Sequence, residues 1–141
     1  MRVETANLEE VQRALAMYGA RARAEIGKAV QAHSVNVRTG IQRRIQRGPK
    51  SGVTYLRGSV AHVASAPGEA PATDTGTLAS SIAYRRVADL TAEIESRLDY
   101  ATYLEFGTRS IAPRPSWVPT IEEMRPEFVR RVEAAIKRAQ P

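Results

Sequence analysis

An apolar stripe runs through the first 45 residues of the chain at helical spacing. Its members recur at three- and four-residue steps: Leu8, Val11, Leu15, Tyr18, Ala22, Ile26, Val30, His33, Val37, Ile41 and Ile45. Because residues three and four apart share one face of an α-helix, this spacing predicts one helix from Leu8 to the low forties. Gly19, Gly27 and Gly40 each cost about 1 kcal/mol relative to alanine, so a kink or an early end stays open. A helix this long overhangs a small sheet, and we expect part of it to pack on a neighbouring subunit.

Basic side chains are concentrated in the same part of the chain. Residues 1–60 carry 11 of the 21 Lys and Arg residues but only four acids, and no acid lies between Glu25 and Glu69. Such a block attracts polyanions or an acidic protein surface. Contact with DNA, docking on an acidic partner and a merely solvated face all stay open. The candidate interaction residues are Arg38, Arg43, Arg44, Arg47, Lys50 and Arg57.

A turn cluster at 48–52 precedes two short segments of strand character, 53–56 and 59–64. Residues 65–76 then form a loop in which two prolines fix the backbone and two glycines release it. Its glycines do not make a phosphate-binding loop, because no Gly-Lys-Ser/Thr follows them. We expect the loop to find few bonding partners within its own domain and to order on assembly, with plain disorder as the alternative.

The next region predicts an antiparallel hairpin followed by a helix. Residues 78–87 form its first strand, and 91–98 alternate strictly, with Ala92, Ile94, Ser96 and Leu98 facing inward. Residues 100–106 predict a short helical turn. A capping-box pattern, Thr120-Ile-Glu-Glu123, predicts the start of the C-terminal helix, and Pro126 predicts a kink or a restart in it.

The stretch between the hairpin and the C-terminal helix predicts a packed corner where sheet and helix meet. It combines aromatic side chains, a glycine break and a single acid within an apolar patch. We expect a positive φ at Gly107, and for Glu105 either a buried bond to backbone or a pair with Arg109 or Arg114. The motif residues are Tyr100, Glu105, Phe106, Gly107, Thr108 and Pro115.

These elements predict an α+β fold: a long N-terminal helix and a C-terminal helix packed on a small antiparallel β-sheet with a long Pro/Gly loop. We expect a single domain over residues 1–141. The chain has no cysteine and only two histidines, and no nucleophile, base and orienter come together in the pattern. The expectation is therefore a protein without catalytic activity, metal or cofactor. No apolar run reaches the length of a membrane span and no signal-peptide core opens the sequence, so we expect a soluble protein made in the cytoplasm.

The corner also carries a family resemblance. Tyr100-Ala101, then Leu104-Glu-Phe-Gly-Thr108, then Arg114-Pro115 resembles the signature of small tailed-phage proteins that join head to tail. A second match lies in 65–72, followed by 75–78 and by Ser81-Ile82. Together the matches run from about residue 48 to 119. The chain thus resembles the gene-ten-like minor structural proteins of lambdoid siphophages, which are described as tail-completion or head–tail joining proteins.

The resemblance implies a virion structural protein at the head–tail junction, present in the host cytoplasm during assembly. It implies a homomeric ring, a hexamer on the tail side, that completes or terminates the tail. Its partners would be the tail tube protein and the head connector or stopper protein, and its lumen would pass DNA with only nonspecific contact. The alternative is a sequence-nonspecific nucleic-acid-binding module, which only the basic block suggests, since no known reader motif is present.

Overall fold

The structure is a computed structural model that describes residues 8–73 and 75–140, with side chains described from residue 12 onward. Helices and strands follow each other in the order α1 Leu8–Arg47, β1 Thr54–Arg57, β2 Val60–Val63, α2 Thr77–Ser80, β3 Ile82–Ala88, β4 Thr91–Ser96, α3 Tyr100–Phe106 and α4 Trp117–Ala139. Both long helices and the antiparallel pairing confirm the predicted α+β class.

Helix α1 is continuous over its 40 residues, so the early end left open at its glycines does not occur. Two of these glycines lie where other elements approach closely. A Cβ at Gly27 would come 2.7 Å from the carbonyl oxygen of Asp89, in the turn between β3 and β4. A Cβ at Gly40 would come 2.9 Å from Thr120 Cγ2 on α4. These two glycines lower the helix propensity of α1, but they allow the β3–β4 turn and α4 to pack closely on it.

The strands form two separate two-stranded sheets rather than the single small sheet that was predicted. In the first sheet Thr54 pairs with Val63 and Arg57 with Val60. In the second Ile82 pairs with Ser96, and a bulge interrupts the register between Arg86 and Ala88. Only the second sheet packs on α1. The prediction of one sheet was wrong because strand character alone does not specify which strands pair.

The buried core lies where the C-terminal half of α1 meets α2 and β3. Its buried members are Val37, Ile41, Ile45, Leu78, Ala79 and Ile82, of which Ile41 and Ile45 are the largest that are fully buried. Leu78 and Ala79 were predicted to begin a strand, but they belong to the short helix α2. There the amides of Ser80 and Ser81 donate to the carbonyls of Gly76 and Thr77, at 2.9 and 3.0 Å. Local hydrogen bonds of the helical kind thus replace ladder bonds at this point.

Helix α4 runs antiparallel to α1 and covers only part of it. Arg44 contacts Glu123, His33 stacks on Phe128 with ring centroids 4.7 Å apart, and Arg138 Nε lies 3.1 Å from Glu25. Since α4 ends near Glu25, residues 8–24 of α1 extend past it by roughly 25 Å at about 1.5 Å per residue. Leu15 and Met17 in this overhang are 64% and 59% exposed. The predicted overhang is confirmed, whereas the neighbour expected to cover it is not tested.

The start of α4 differs from the prediction. The helix begins at Trp117 with Ser116 as its N-cap, so Thr120 does not cap it and the capping box was wrong. Thr120 Oγ1 instead donates to the Ser116 carbonyl at 2.7 Å and accepts a bond from Arg44 Nε at 2.9 Å. The helix also runs through Pro126 without a restart. The spacing of the capping box is present, but the free amides at the start of α4 are bonded by another residue, Glu105.

Candidate functional site

The side chain of Glu105, at the end of α3, caps the N-terminus of α4. Its carboxylate accepts hydrogen bonds from the amides of Ser116 at 2.7 Å, Trp117 at 3.0 Å and Val118 at 2.8 Å. Glu105 is 7% exposed, and Ser116 is buried beside it. A negative charge at a helix N-terminus is favoured by the helix dipole, and bonds to an ionised acceptor are the strong ones. The expectation of a buried bond to backbone is confirmed, and the pair with arginine is wrong.

Glu105 satisfies every free amide at this helix end. The first four amides of an α-helix, here those of residues 116–119, have no partner within the helix. Three of them bind Glu105, and the fourth position is Pro119, which has no N–H. The corner therefore leaves no unpaired donor, and one carboxylate joins α3 to α4.

Gly107 makes the turn that brings Glu105 to α4. Its φ of 76° and ψ of 177° lie in a region that is essentially restricted to glycine, so the predicted positive φ is confirmed. A Cβ here would lie 2.8 Å from the Ile111 carbonyl oxygen. The amide of Thr108 then donates to that carbonyl at 2.8 Å, and Thr108 Oγ1 accepts from the Ile111 amide at 3.1 Å. The chain thereby folds back so that the Arg114 amide meets the Leu104 carbonyl at 2.6 Å.

The aromatic side chains of the corner lie mainly on the surface. Phe106 is 70% exposed, and Tyr100 and Tyr103 are also exposed. The expected packing of aromatic side chains is therefore wrong for Tyr100, Tyr103 and Phe106, whereas the aromatic Trp117 packs against the core together with Leu104 and Ala101. Pro115 is half-buried at the exit from the turn. Of the predicted motif residues, Glu105, Gly107 and Thr108 shape the corner, while Tyr100 and Phe106 face solvent.

The Pro/Gly loop is bonded to its own chain, so the expectation of few partners within the domain was wrong. Glu69 accepts bonds from Ser51 Oγ at 2.5 Å, from the Ser51 amide at 2.9 Å and from the Ala66 amide at 2.8 Å. These hydrogen bonds, led by that of the Ser51 side chain, lower the pKa of Glu69. The Gly68 amide donates to the Pro113 carbonyl at 2.9 Å. One acid, which the sequence pattern did not mark, therefore ties the loop to the base of the β1–β2 hairpin.

The six candidate basic residues do not form one surface. Arg43 and Arg47 are exposed one helical turn apart, and with Arg44 they line one groove of about 380 Å³ against α4. Arg44 is engaged by Thr120 and Glu123.

The other basic side chains lie elsewhere. Lys50 Nζ donates to the Ala70 carbonyl at 2.9 Å, and burial lowers the pKa of this lysine. Arg38 Nε is buried with no hydrogen-bond partner among the described residues, and Arg57 lies on the hairpin.

The exposure of the hairpin β1–β2 is the feature that sequence reasoning missed, although both of its strands were predicted. It makes its main contacts within itself, and its large apolar side chains are exposed: Val53 78%, Leu56 74%, Val60 56% and Val63 43%. Successive strand residues point to opposite faces, so Val53 and Val60 lie on one face and Leu56 and Val63 on the other. The signal was present in the sequence, since both faces carry large apolar side chains, accompanied on one face by Arg57 and His62.

In this small domain the hydrogen bonds of the corner are made within the chain, whereas the α1 overhang and the hairpin expose large apolar side chains. The family model described as "Bacteriophage HK97-gp10, putative tail-component" matches residues 2–107. The chain belongs to this family of phage tail components, as the motif resemblance indicated. The matched range contains α1 through α3 with Glu105 and Gly107, while Arg114, Pro115 and α4 lie beyond it.

The other comparisons give no further relatives: no curated protein and no solved structure matches the chain. No helix within residues 8–73 and 75–140 is long and apolar enough to cross a membrane. As a member of a tail-component family, the chain is a virion structural protein that interacts with other virion proteins.

Proposed function

We propose that the protein completes the head-proximal end of the tail as a homomeric ring and joins the tail tube to the head connector. The observation that carries the proposal is the uncovered apolar surface of one folded subunit. An overhang of about 25 Å on α1 and a hairpin with large apolar side chains exposed on both faces are costly in a lone monomer. Both are explained if neighbouring copies cover them.

The remaining parts of the proposal follow from this ring. Residues 1–141 act as a single domain, a proposal supported by the packing of α4 along α1 around one shared core. In this role the domain needs no catalytic activity and no cofactor. A hexamer matches the tail side of the junction. The partners are the tail tube protein on one side and the head connector or stopper protein on the other, and the ring is built in the host cytoplasm before it enters the virion.

Deletion of the gene tests the proposal directly. Electron microscopy of the resulting particles should show filled heads and separate tails, or tails with an abnormal end. Complementation with the intact gene should restore joined particles. Normally joined particles from a clean deletion would remove the basis of the proposal.

A sequence-nonspecific nucleic-acid-binding module is the second candidate, and the exposed pair Arg43 and Arg47 favours it. Two guanidinium groups one turn apart can follow a phosphate backbone or line a lumen that passes DNA. If they do, free protein should bind duplex DNA weakly, with an affinity that falls by a log–log slope of about −0.9 per phosphate neutralised.

The double variant R43E/R47E separates the two readings. Loss of DNA retention with intact rings would assign the pair to DNA, whereas failure to join heads and tails would assign it to an acidic protein partner. Tight, sequence-selective DNA binding by the free protein at moderate salt would contradict the virion role.

A further inference from the structure

An apolar groove of about 420 Å³ lies beside β4, between α3 and the start of α4. Its apolar lining comes from Ile94, Phe106, Trp117, Val118 and Ile121. Three consecutive residues of β4, from Ile94 to Ser96, all line it. Since neighbouring strand residues point to opposite faces, a run of three can border a groove only along a strand edge. No strand of the described chain pairs with this edge, because β4 pairs only with β3.

We propose that this groove receives the β1–β2 hairpin of a second copy of the chain, with one open edge of the hairpin along the open edge of β4. The proposal rests on the ring of the proposed function and names the contact that closes it. An isolated two-stranded hairpin is marginally stable in water and gains from further strands or from packing on a helix. The groove offers both.

Charge favours the hairpin as occupant. Of the described residues that line the groove, only Glu95 and Glu105 are charged, and the carboxylate of Glu105 is already bonded to the amides at the start of α4, so the charge that faces an occupant is that of Glu95. The segment from Gly48 to Ala64, which contains the hairpin, carries Lys50 and Arg57 and no acid. Its apolar side chains Leu56, Val60 and Val63 suit the lining, and its charge is opposite to that of the groove.

The hairpin cannot reach the groove of its own chain by this route, because α3 lies between them. Tyr100 and Leu104 on one side of α3 border a hollow that also contains Tyr55 of the hairpin. Ala101, Glu105 and Phe106 on the other side border the groove. Two different patches on opposite sides of one element make a head-to-tail contact, which produces a ring where the rotation closes.

Paired cysteines test the contact, and the absence of native cysteine makes the background clean. L56C on the hairpin is combined with V118C in the groove, and the matched control combines L56C with V129C. Val129 is also exposed on α4 but lies 11 residues further along, roughly 16 Å away. Oxidation and a longer bismaleimide are both applied to the concentrated protein and to purified tails, because a disulfide alone requires Cα atoms about 4.4–6.8 Å apart.

The expected result is a ladder of cross-linked copies from L56C/V118C, none beyond a dimer from either single variant, and none from the control pair. Rings that form without this cross-link would overturn the contact and leave the proposed function standing. A cross-link to a protein of different mass would also overturn it, since the hairpin would then bind another virion protein. Absence of any ring, together with normally joined particles after gene deletion, would overturn the proposed function itself.

A second measurement needs no cross-linker. L56Q/V63Q should weaken self-association at least about tenfold in sedimentation, as expected for loss of central apolar contacts. V129Q should leave association unchanged. Both variants should melt like the parent as monomers, because the replaced side chains are exposed. Unchanged association of L56Q/V63Q would contradict the docking.

Discussion

The corner at Glu105 and the hairpin β1–β2 are opposite cases within one chain. At the corner a single carboxylate satisfies all three available amides of a helix end, and backbone hydrogen bonds close the turn behind it. In the hairpin, large apolar side chains are exposed on both faces and both outer edges are unpaired within the described chain. The corner is complete in the monomer, whereas the hairpin is not.

This difference teaches which part of the family motif serves folding. Glu105, Gly107 and Thr108 are constrained by bonds inside the subunit, so their spacing reflects the geometry of one turn and one helix cap. The surfaces that suit assembly are the α1 overhang and the hairpin, which lie outside this group of residues, and the groove beside α3, which includes Phe106 of the motif. Variants in the two regions should therefore fail in different assays: the corner in unfolding and the hairpin in association.

The largest effect is expected from Glu105→Ala. The change leaves three amides at the start of α4 without their acceptor, and we expect a loss of about 3 kcal/mol in the free energy of unfolding. Glu105→Gln should lose less, because one amide oxygen can keep part of the bonding. Urea denaturation of the monomer measures both. The control is Glu123→Ala, which removes an exposed ion pair and should cost at most about 1 kcal/mol. Equal losses for Glu105→Ala and Glu123→Ala would show that the capping bonds of Glu105 contribute no more to stability than an exposed ion pair.

The next effect is expected from Gly107→Ala, at about 2–3 kcal/mol. Its backbone lies in the glycine-restricted region, and the added methyl meets the Ile111 carbonyl. Gly58→Ala is the matched control, since Gly58 also has a positive φ, 62°, but has open space around it. Gly58→Ala should cost about 1 kcal/mol. If the two variants lose the same free energy of unfolding, close approach contributes nothing at Gly107.

Sequence reasoning predicted the elements better than their partners. Periodicity found α1 and β4, and glycine chemistry found the turn at Gly107, because these are local properties. The separation of the two sheets was missed because the pairing of strands depends on how the segments pack around α1 and α4, which is not a local property of the sequence. The cap of α4 was placed at Thr120 instead of Glu105, 11 residues before Ser116 in sequence. Contacts across such distances have no local pattern.

The candidate sites divide in the same way. The bond from Glu105 to backbone was one of two stated options, because a single acid among apolar residues needs a buried partner. The dispersal of the basic residues was not foreseen, since a charge count does not show that Lys50 turns to the Ala70 carbonyl. The sequence does show apolar side chains on both faces of the hairpin strands. Their exposure could be predicted only once the positions of the helices were known, because these leave the hairpin uncovered.

A smaller effect on stability, and a larger one on association, is expected from L15Q/M17Q in the α1 overhang. Both side chains are exposed, so the free energy of unfolding of the monomer should change by less than about 0.5 kcal/mol. Association measured by light scattering should fall if a neighbouring copy covers this surface. Val129→Gln, at a position on α4 that is 49% exposed, serves as the control and should change neither quantity. A large loss of monomer stability in L15Q/M17Q would show that the overhang is already packed within the subunit.

The smallest effect concerns His33, which lies in the contact between α1 and α4. This contact lies between the corner and the α1 overhang. His33 stacks on Phe128, and burial lowers its pKa, an effect that Arg131 assists and Glu127 opposes. Because the folded pKa lies below that of the unfolded chain, His33 favours folding above about pH 6.5, and this contribution is lost as the pH falls through the folded pKa. The carboxylates with lowered pKa values, Glu25, Glu69 and Glu127, lose their contributions only in the more acidic range below their ordinary values. Urea denaturation of the monomer from pH 8 to pH 5 should therefore show a slight decline that His33→Phe removes, since phenylalanine keeps the stack and cannot take up a proton. A decline that persists in His33→Phe would assign the pH dependence to other groups and contradict the role of buried His33.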